Sequence, residues 1–300
     1  MDEPSTTYRV GDALITRVTE QQFQLKMGKL FTDFDPAVIQ EHHAWLANGQ
    51  VDAAAEHFVL NVNTWVLRVG GKVILVDTAS GNHKDRPFSA LFHQLNTPYL
   101  ERLERAGVKP EEVDFVLLTH LHVDHVGWNT RLDNGRWVPT FPNARYVFSR
   151  VERESFDTPA GESRRMVFDD SVLPVIDAGL AEEIGPKGGE YLPGIRFHPT
   201  PGHSAGHMSI EIESAGAHAL FSGDVWHHPI QVYRPGWSSV FCADQHRATV
   251  SRQWVLDRAV ETGATVFTPH FAGTSAGVVD MVDVVDTSAQ SDGGFAWRFV

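Results

Sequence analysis

The chain has 300 residues, 42% hydrophobic and 21% charged, so it reads as globular with material for a large core. Its 25 Lys and Arg against 38 Asp and Glu leave a formal charge of −13. That balance argues against nucleic acid or an anionic membrane as partner and suits a small neutral or cationic molecule. The single cysteine, Cys242, excludes an intrachain disulfide and a thiolate-based zinc site.

The first residues lack the basic and apolar regions of a secretory signal, and no apolar run is long enough to cross a bilayer. The expected location is cytoplasmic. Residues 10–19 have strand-like content. Residues 21–57 carry scattered aromatics without a clear period and are expected to form an arm or lid, with a helix at 37–47 after Pro36. Residues 58–69 and 72–77 read as a hairpin turned at Gly70–Gly71. A helix at 99–106 is stopped by Gly107 and Pro110. Residues 113–118 form a continuous apolar run, as a strand covered on both faces shows. A strand at 145–149 and short helices over 150–175, broken by Pro159 and Pro174, come next. Strands follow at 195–198, 207–212 and 217–221, then a long helix at 244–262 closed by Gly263. A buried strand at 264–268 and an edge strand at 295–300 complete the chain. No Pro-, Gly- or Ser-rich linker divides it, so residues 1–300 are expected to form one α/β sandwich, two sheets with helices outside.

The histidines are where the chemistry gathers. His120-x-His122-x-Asp124-His125 places four metal-ligand side chains just past the apolar strand at 113–118. Residues two apart in an extended segment face the same side, so His120 and His122 converge on one ion. Asp124 and His125, past the turn, face a second. Imidazole and carboxylate without thiolate suit zinc, and also manganese, cobalt or iron. Two ions need about six to eight protein ligands, counting shared ones. Further candidates each follow a later strand: His203 in Pro-Gly-His-Ser-Ala-Gly-His, Asp224 in Ser-Gly-Asp, and His270 in Pro-His.

These four motifs, in this order over roughly residues 58–272, resemble the metallo-β-lactamase superfamily of metal hydrolases. The resemblance implies an αββα sandwich of two mixed β-sheets with helices on the outer faces. It implies one ion on His120, His122 and His203, a second on Asp124, His125 and His270, and Asp224 shared between them. Asp77 and His207 are expected behind the ligands, orienting them. A hydroxide held between two divalent ions about 3.5–4 Å apart is the expected nucleophile, with Asp124 carrying a proton to the leaving group. Within the superfamily, acyl-homoserine lactonases, which quench quorum signals, and methyl parathion hydrolases share this ligand set. The lactonases commonly place a Tyr three residues after the shared Asp. Here that residue is His227, which resembles the methyl parathion hydrolase branch and makes His227 a candidate for catalytic contact with substrate.

Trp128, Trp226 and Phe271 are expected to line an apolar pocket for a small, neutral, hydrophobic or aromatic substrate. No Arg cluster is evident for a highly charged phosphate. The expected reaction is cleavage of a neutral ester-type substrate, lactone or aryl (phospho)ester, and the branch implies a homodimer. Two other classes stand beside it. A flavodiiron-like redox protein usually replaces a ligand His by a carboxylate and adds a flavin domain, for which this chain leaves no length. A non-catalytic metal-binding member sits poorly with all seven ligands retained.

Overall fold

Turn residues and alternating strands set the first sheet. β1 (Thr7–Val10) pairs antiparallel with β2 (Ala13–Lys26). After the short β3 (Val51–Asp52), β4 (His57–Val69) runs antiparallel to β2 along most of its length. Gly70 and Gly71, both at positive φ, then turn the chain into β5 (Lys72–Val76). β6 (Phe115–Leu117) joins β5 in parallel. A separate hairpin, β7 (Thr130–Asp133) and β8 (Arg136–Pro139), intervenes before β9 (Arg145–Ser149) and β10 (Ala181–Ile184) extend the parallel half.

The second sheet holds β11 (Gly189–Leu192), β12 (Ile195–Pro199), β13 (Met208–Ser214), β14 (Ala217–Phe221), β15 (Thr265–Phe267), β16 (Ala276–Met281) and β17 (Phe295–Phe299) in sequence order. Only β14 and β15 pair in parallel there, because the helix Gln245–Thr262 carries the chain back between them. These elements come from a computed structural model that describes residues 6–42, 46, 49–54, 56–282 and 294–300.

Three apolar layers follow from which face of each strand is apolar. Between the sheets, Ile15, Trp65, Leu67 and Val76 meet Phe197, Ile210, Ile212 and Phe267. Outside the first sheet, Tyr99, Leu103, Val167 and Val172 cover Val66, Val116 and Phe148. Outside the second, Val255, Leu256 and Ala259 of the long helix cover Leu220 and Val266. This is the αββα sandwich expected from the motifs. Among the described residues no helix is long and apolar enough to cross a membrane.

The expected arm begins later than residue 21. β2 continues to Lys26, pairing Gln21 with Val62 and Lys26 with His57, after a bulge between Thr19 and Gln21. The bulge inserts one residue, Glu20, and so changes which positions face inward. That phase change hid the period-two pattern of Phe23 and Leu25 against exposed Gln22 and Gln24. Past β2, the described part of this stretch includes the helices Met27–Leu30 and Ala37–Glu41 as well as β3. The helix expected over 37–47 extends to Glu41, and residues 43–45 and 47 lie outside the described residues. Leu30, Phe31 and Val38 pack on Phe58, Leu60 and Ile230, and Phe31 forms a β-bridge with Ser239. The arm therefore braces the loop that follows Tyr233.

Candidate metal centre

Four segments that follow strands converge at one edge of the sandwich. β6 leads into the loop with His120 and His122 and the helix Val123–Val126 with Asp124 and His125. The β12–β13 loop holds His203, the turn Gly223–Val225 after β14 holds Asp224, and the segment after β15 holds His270. Gly223 sits at φ +53, and a Cβ there would collide with the His207 ring and Thr119, so the Ser-Gly-Asp motif needs its glycine.

Asp224 is the centre of the geometry. Its Oδ1 lies 3.1 Å from His125 Nε2 and 3.0 Å from His270 Nε2. Its Oδ2 lies 3.2 Å from His203 Nε2, 3.4 Å from His227 Nε2 and 3.9 Å from His120 Nε2. His122 joins through Nδ1, 2.8 Å from His203 Nε2. Asp124 stands 3.8 Å from His125 Nε2 and 3.7 Å from His270 Nε2. All seven residues expected as ligands are thus brought together, and His227 with them.

The groups behind the rings fix which nitrogen faces inward. Asp77 accepts from His125 Nδ1 at 2.8 Å and from the Thr119 amide at 2.8 Å. The Thr119 hydroxyl donates to Asp77 and accepts from His120 Nδ1 at 3.0 Å. His270 Nδ1 donates to the Asn61 carbonyl at 2.8 Å. With each Nδ1 committed to a partner behind the ring, each Nε2 is aimed at the centre. His207 Nε2 accepts the Asp224 amide at 2.9 Å, and its Nδ1 donates to Thr200. Asp77 thus lies behind the His125 ring and His207 behind the Asp224 amide.

Charge follows burial. Burial and neighbouring imidazoles hold His120 far below the usual histidine range, and burial pushes His203 far down. Burial takes His207 to about 3. For His125 and His270 the facing carboxylates, Asp224 first, outweigh burial and raise the pKa. The same imidazoles, His125 first, hold Asp224 well below the carboxylate range against its own burial.

The residues fit a divalent metal. His120 Nε2, His125 Nε2 and Asp224 Oδ1 are buried and make no hydrogen bond. Buried polar atoms that converge with no hydrogen bond are costly, and a cation satisfies them together. Four triads of these side chains each place their ligand atoms within 4.8 Å of one another: His120, His122 and His203; His120, His125 and Asp224; Asp124, His125 and His270; His203, Asp224 and His227.

The expected aromatic pocket is corrected. Trp226 and Phe271 are wholly buried and pack with Trp297 in the core under the long helix. Trp128 stacks on Tyr99 at 5.0 Å and donates its Nε1 to buried Glu20 at 2.6 Å. Large rings bury more apolar area inside the fold than at a wet edge, and that decided their place. A cavity of about 420 Å³ opens beside His122, walled by Leu121, Val123, Val151, Phe156 and Val167, with Glu152 and Arg164 also on its lining.

Sequence reasoning also missed Glu152. Its Oε2 accepts from Leu121 N at 3.1 Å and its Oε1 from Gly206 N at 2.7 Å. One buried carboxylate so joins the His120–His122 loop to the His203 loop. Ser149-Arg-Val-Glu152 has the spacing of a helix capping box, yet Ser149 makes no side-chain cap. The spacing was the only signal, and it pointed to a different use.

Residues 57–270 match the metallo-beta-lactamase superfamily. The N-acyl homoserine lactonase of Bacillus cereus is 30% identical over 171 residues, covering 52% of this chain and 60% of that relative. The Beta-lactamase-like protein 2 homolog of Caenorhabditis elegans is 26% identical over 163 residues, covering 54% of this chain and 43% of its own length. The chain thus spans well under two thirds of the C. elegans relative and somewhat under two thirds of the lactonase. Among solved structures, the hydrolase AbOPH in the beta-lactamase superfamily has a TM-score of 0.81 at 23% identity, covering 100% of this chain and 98% of that one. AidC, a dizinc quorum-quenching lactonase, has a TM-score of 0.77 at 19% identity, covering 100% and 99%. At such identities the structural likeness speaks for the fold. With the family match running from the start of β4 through His270, this chain belongs to the metallo-beta-lactamase superfamily.

Proposed function

We propose that this chain is a dinuclear metal-dependent hydrolase of neutral, ester-type substrates, lactones or aryl (phospho)esters. The observation that carries the reading is the Asp224 carboxylate, whose two oxygens face two different imidazole sets, His125 and His270 on one side and His203 and His120 on the other. A carboxylate so placed is suited to hold two ions. On this reading His120, His122 and His203 hold one, Asp124, His125 and His270 the other, and Asp224 is common to both. Zinc fits the donors, and manganese, cobalt and iron share the same preferences. Two such ions supply Lewis acidity and water acidified to near neutral pH.

The protein's own residues do the rest. Asp77, Thr119 and the Asn61 carbonyl hold the ring tautomers, so no ligand must reorient as substrate enters. Asp124 keeps 15% of its side chain exposed, where Asp224 keeps 4%, so it is the carboxylate placed to pass a proton to a leaving group. The cavity beside His122 takes an apolar arm of the substrate and disfavours a dianionic one, in keeping with the chain's charge of −13. The lactonase relative supports an ester-type substrate.

The test is kcat/KM of the zinc-loaded protein on an acyl-homoserine lactone, a neutral aryl phosphotriester and the matching aryl phosphomonoester. At least one neutral substrate should exceed the monoester by about tenfold or more, a margin of about 1.4 kcal/mol. No turnover of either neutral substrate by protein holding two ions, or preference for the monoester, refutes the reading. The lactone-to-triester ratio assigns the branch.

A further inference from the structure

His227 is the side chain at this centre that the expected ligand set does not use. Its ring is buried, and neither Nδ1 nor Nε2 has a hydrogen-bond partner. It stacks on His270 at 5.8 Å with 12° between the planes and stands 5.0 Å from the His203 ring. Its backbone is fixed from behind: the His227 amide donates to Gln231 Oε1 at 2.7 Å, and Gln231 Nε2 donates to the Trp237 carbonyl at 2.9 Å. A buried imidazole with both nitrogens unsatisfied is rare, and each such group calls for an explanation.

We infer that His227, through Nε2, is a further ligand of the ion on the Oδ2 side of Asp224. This rests on the metal-centre reading above. Donors about 2.0–2.2 Å from one zinc, at angles between a right angle and the tetrahedral value, lie about 2.8–3.6 Å from each other. His203 Nε2 meets this with Asp224 Oδ2 at 3.2 Å, and His227 Nε2 meets it at 3.4 Å. His120 Nε2, at 3.9 Å, lies outside it and fits a wider angle. His203, Asp224 and His227 also form one of the clusters whose ligand atoms all lie within 4.8 Å. Beside His203 and Asp224 Oδ2, His227 Nε2 therefore has the spacing of a ligand.

A second consequence concerns asymmetry. The Oδ2 side then carries His120, His122, His203 and His227, all imidazoles, while the Oδ1 side has His125, His270 and the Asp124 carboxylate. The neutral-rich side favours a borderline metal such as zinc or cobalt, and the carboxylate side tolerates manganese better. Mixed occupancy is the expected result when both metals are offered.

The experiment is a zinc titration against a chromogenic chelator on wild type and His227→Phe, the latter keeping the ring that stacks on His270. Wild type should take up two ions. The variant should keep one affinity and lose about 10–100-fold or more in the other. The d–d absorption of the cobalt-loaded variant should also change for one equivalent. Equal affinities and equal cobalt spectra in the two proteins overturn the inference and leave His227 facing substrate. Should the variant fail to fold, ¹¹³Cd-loaded wild type decides: one-bond coupling to His227 Nε2 supports ligation, and coupling at the other imidazoles without it overturns ligation. A wild-type protein that binds no divalent ion instead refutes the metal-centre reading itself, so the two failures are distinct.

Discussion

Glu152→Ala removes one side chain whose hydrogen bonds go to two backbone amides, and both loops of the Oδ2 side depend on it. Two buried amides, Leu121 N and Gly206 N, lose their acceptor. An abandoned buried donor costs about 1–3 kcal/mol, so the pair costs about 2–6 kcal/mol, and water entering the adjoining cavity brings the value toward about 3 kcal/mol. For a chain of this size that is a fall in Tm of about 6–12 °C. The loops also carry His122 and His203, whose facing nitrogens stand 2.8 Å apart, so their freedom to separate should weaken zinc binding about 10–100-fold. Glu152→Gln keeps one acceptor but turns an N–H toward the other donor, and should fall between. Denaturant unfolding of the metal-stripped protein gives the first quantity and chelator competition the second. If Glu152→Ala stays within about 0.5 kcal/mol of wild type and its zinc affinity within about twofold, the clamp does not exist.

Three further outcomes are expected. Asp124→Asn should lower kcat by more than it raises KM, because an amide accepts no proton for the leaving group; a pure KM effect under steady-state kinetics would assign Asp124 to binding alone. Gly223→Ala should cost several kcal/mol, about 3 or more, through its positive φ and the collision with His207 and Thr119, and a protein of unchanged denaturation midpoint would contradict that packing. Glu211 tests acid stability: although burial raises its pKa, hydrogen bonds from His198 and Arg258 hold it down to about 2. A folded pKa below the unfolded one stabilises above about pH 4.5 and is lost as pH falls toward 2, so Glu211→Gln should flatten the acid limb of the stability curve in that window; an identical acid limb in the two proteins refutes the assignment.

The cluster of expected ligands was legible because its chemistry is local. His120, His122, Asp124 and His125 sit within six residues, and His203, Asp224 and His270 each follow a strand that apolar runs announce. The long helix was legible for the same reason, with Asp244 accepting from the Arg247 amide and Gly263 at φ +61. The β7–β8 hairpin, β10, β11 and β16 were not foreseen, since short half-exposed strands show little alternation. The pocket was misread for a further reason. An aromatic next to a ligand in sequence is next to it in space only at its Cα, and Trp226 and Phe271 direct their rings away from the metal edge into the core. Glu152 was invisible because its partners, Leu121 and Gly206, are 31 and 54 residues away and are backbone groups.

The rear contacts of the centre also explain why such a site needs two sheets. His270 comes from the second sheet, but its Nδ1 is held by Asn61 of β4 in the first, and Asn61 N returns a bond to the His270 carbonyl at 2.9 Å. Met208 of β13 donates to the Thr119 carbonyl beside β6. Glu152, just past β9, holds Gly206 of the β12–β13 loop. The His120–His122, His203 and His270 segments are therefore each fixed by a group from the opposite sheet, while the Asp224 turn is held by His207 of its own sheet, so cohesion of the sheets and preorganisation of these segments share interactions. An ion bound only by the folded state adds RT ln(1 + [L]/Kd) to stability, about 2.7 kcal/mol at a concentration 100 times Kd. Because the expected ligands span both sheets, that increment should act on the unfolding of the whole sandwich and not on one edge of it.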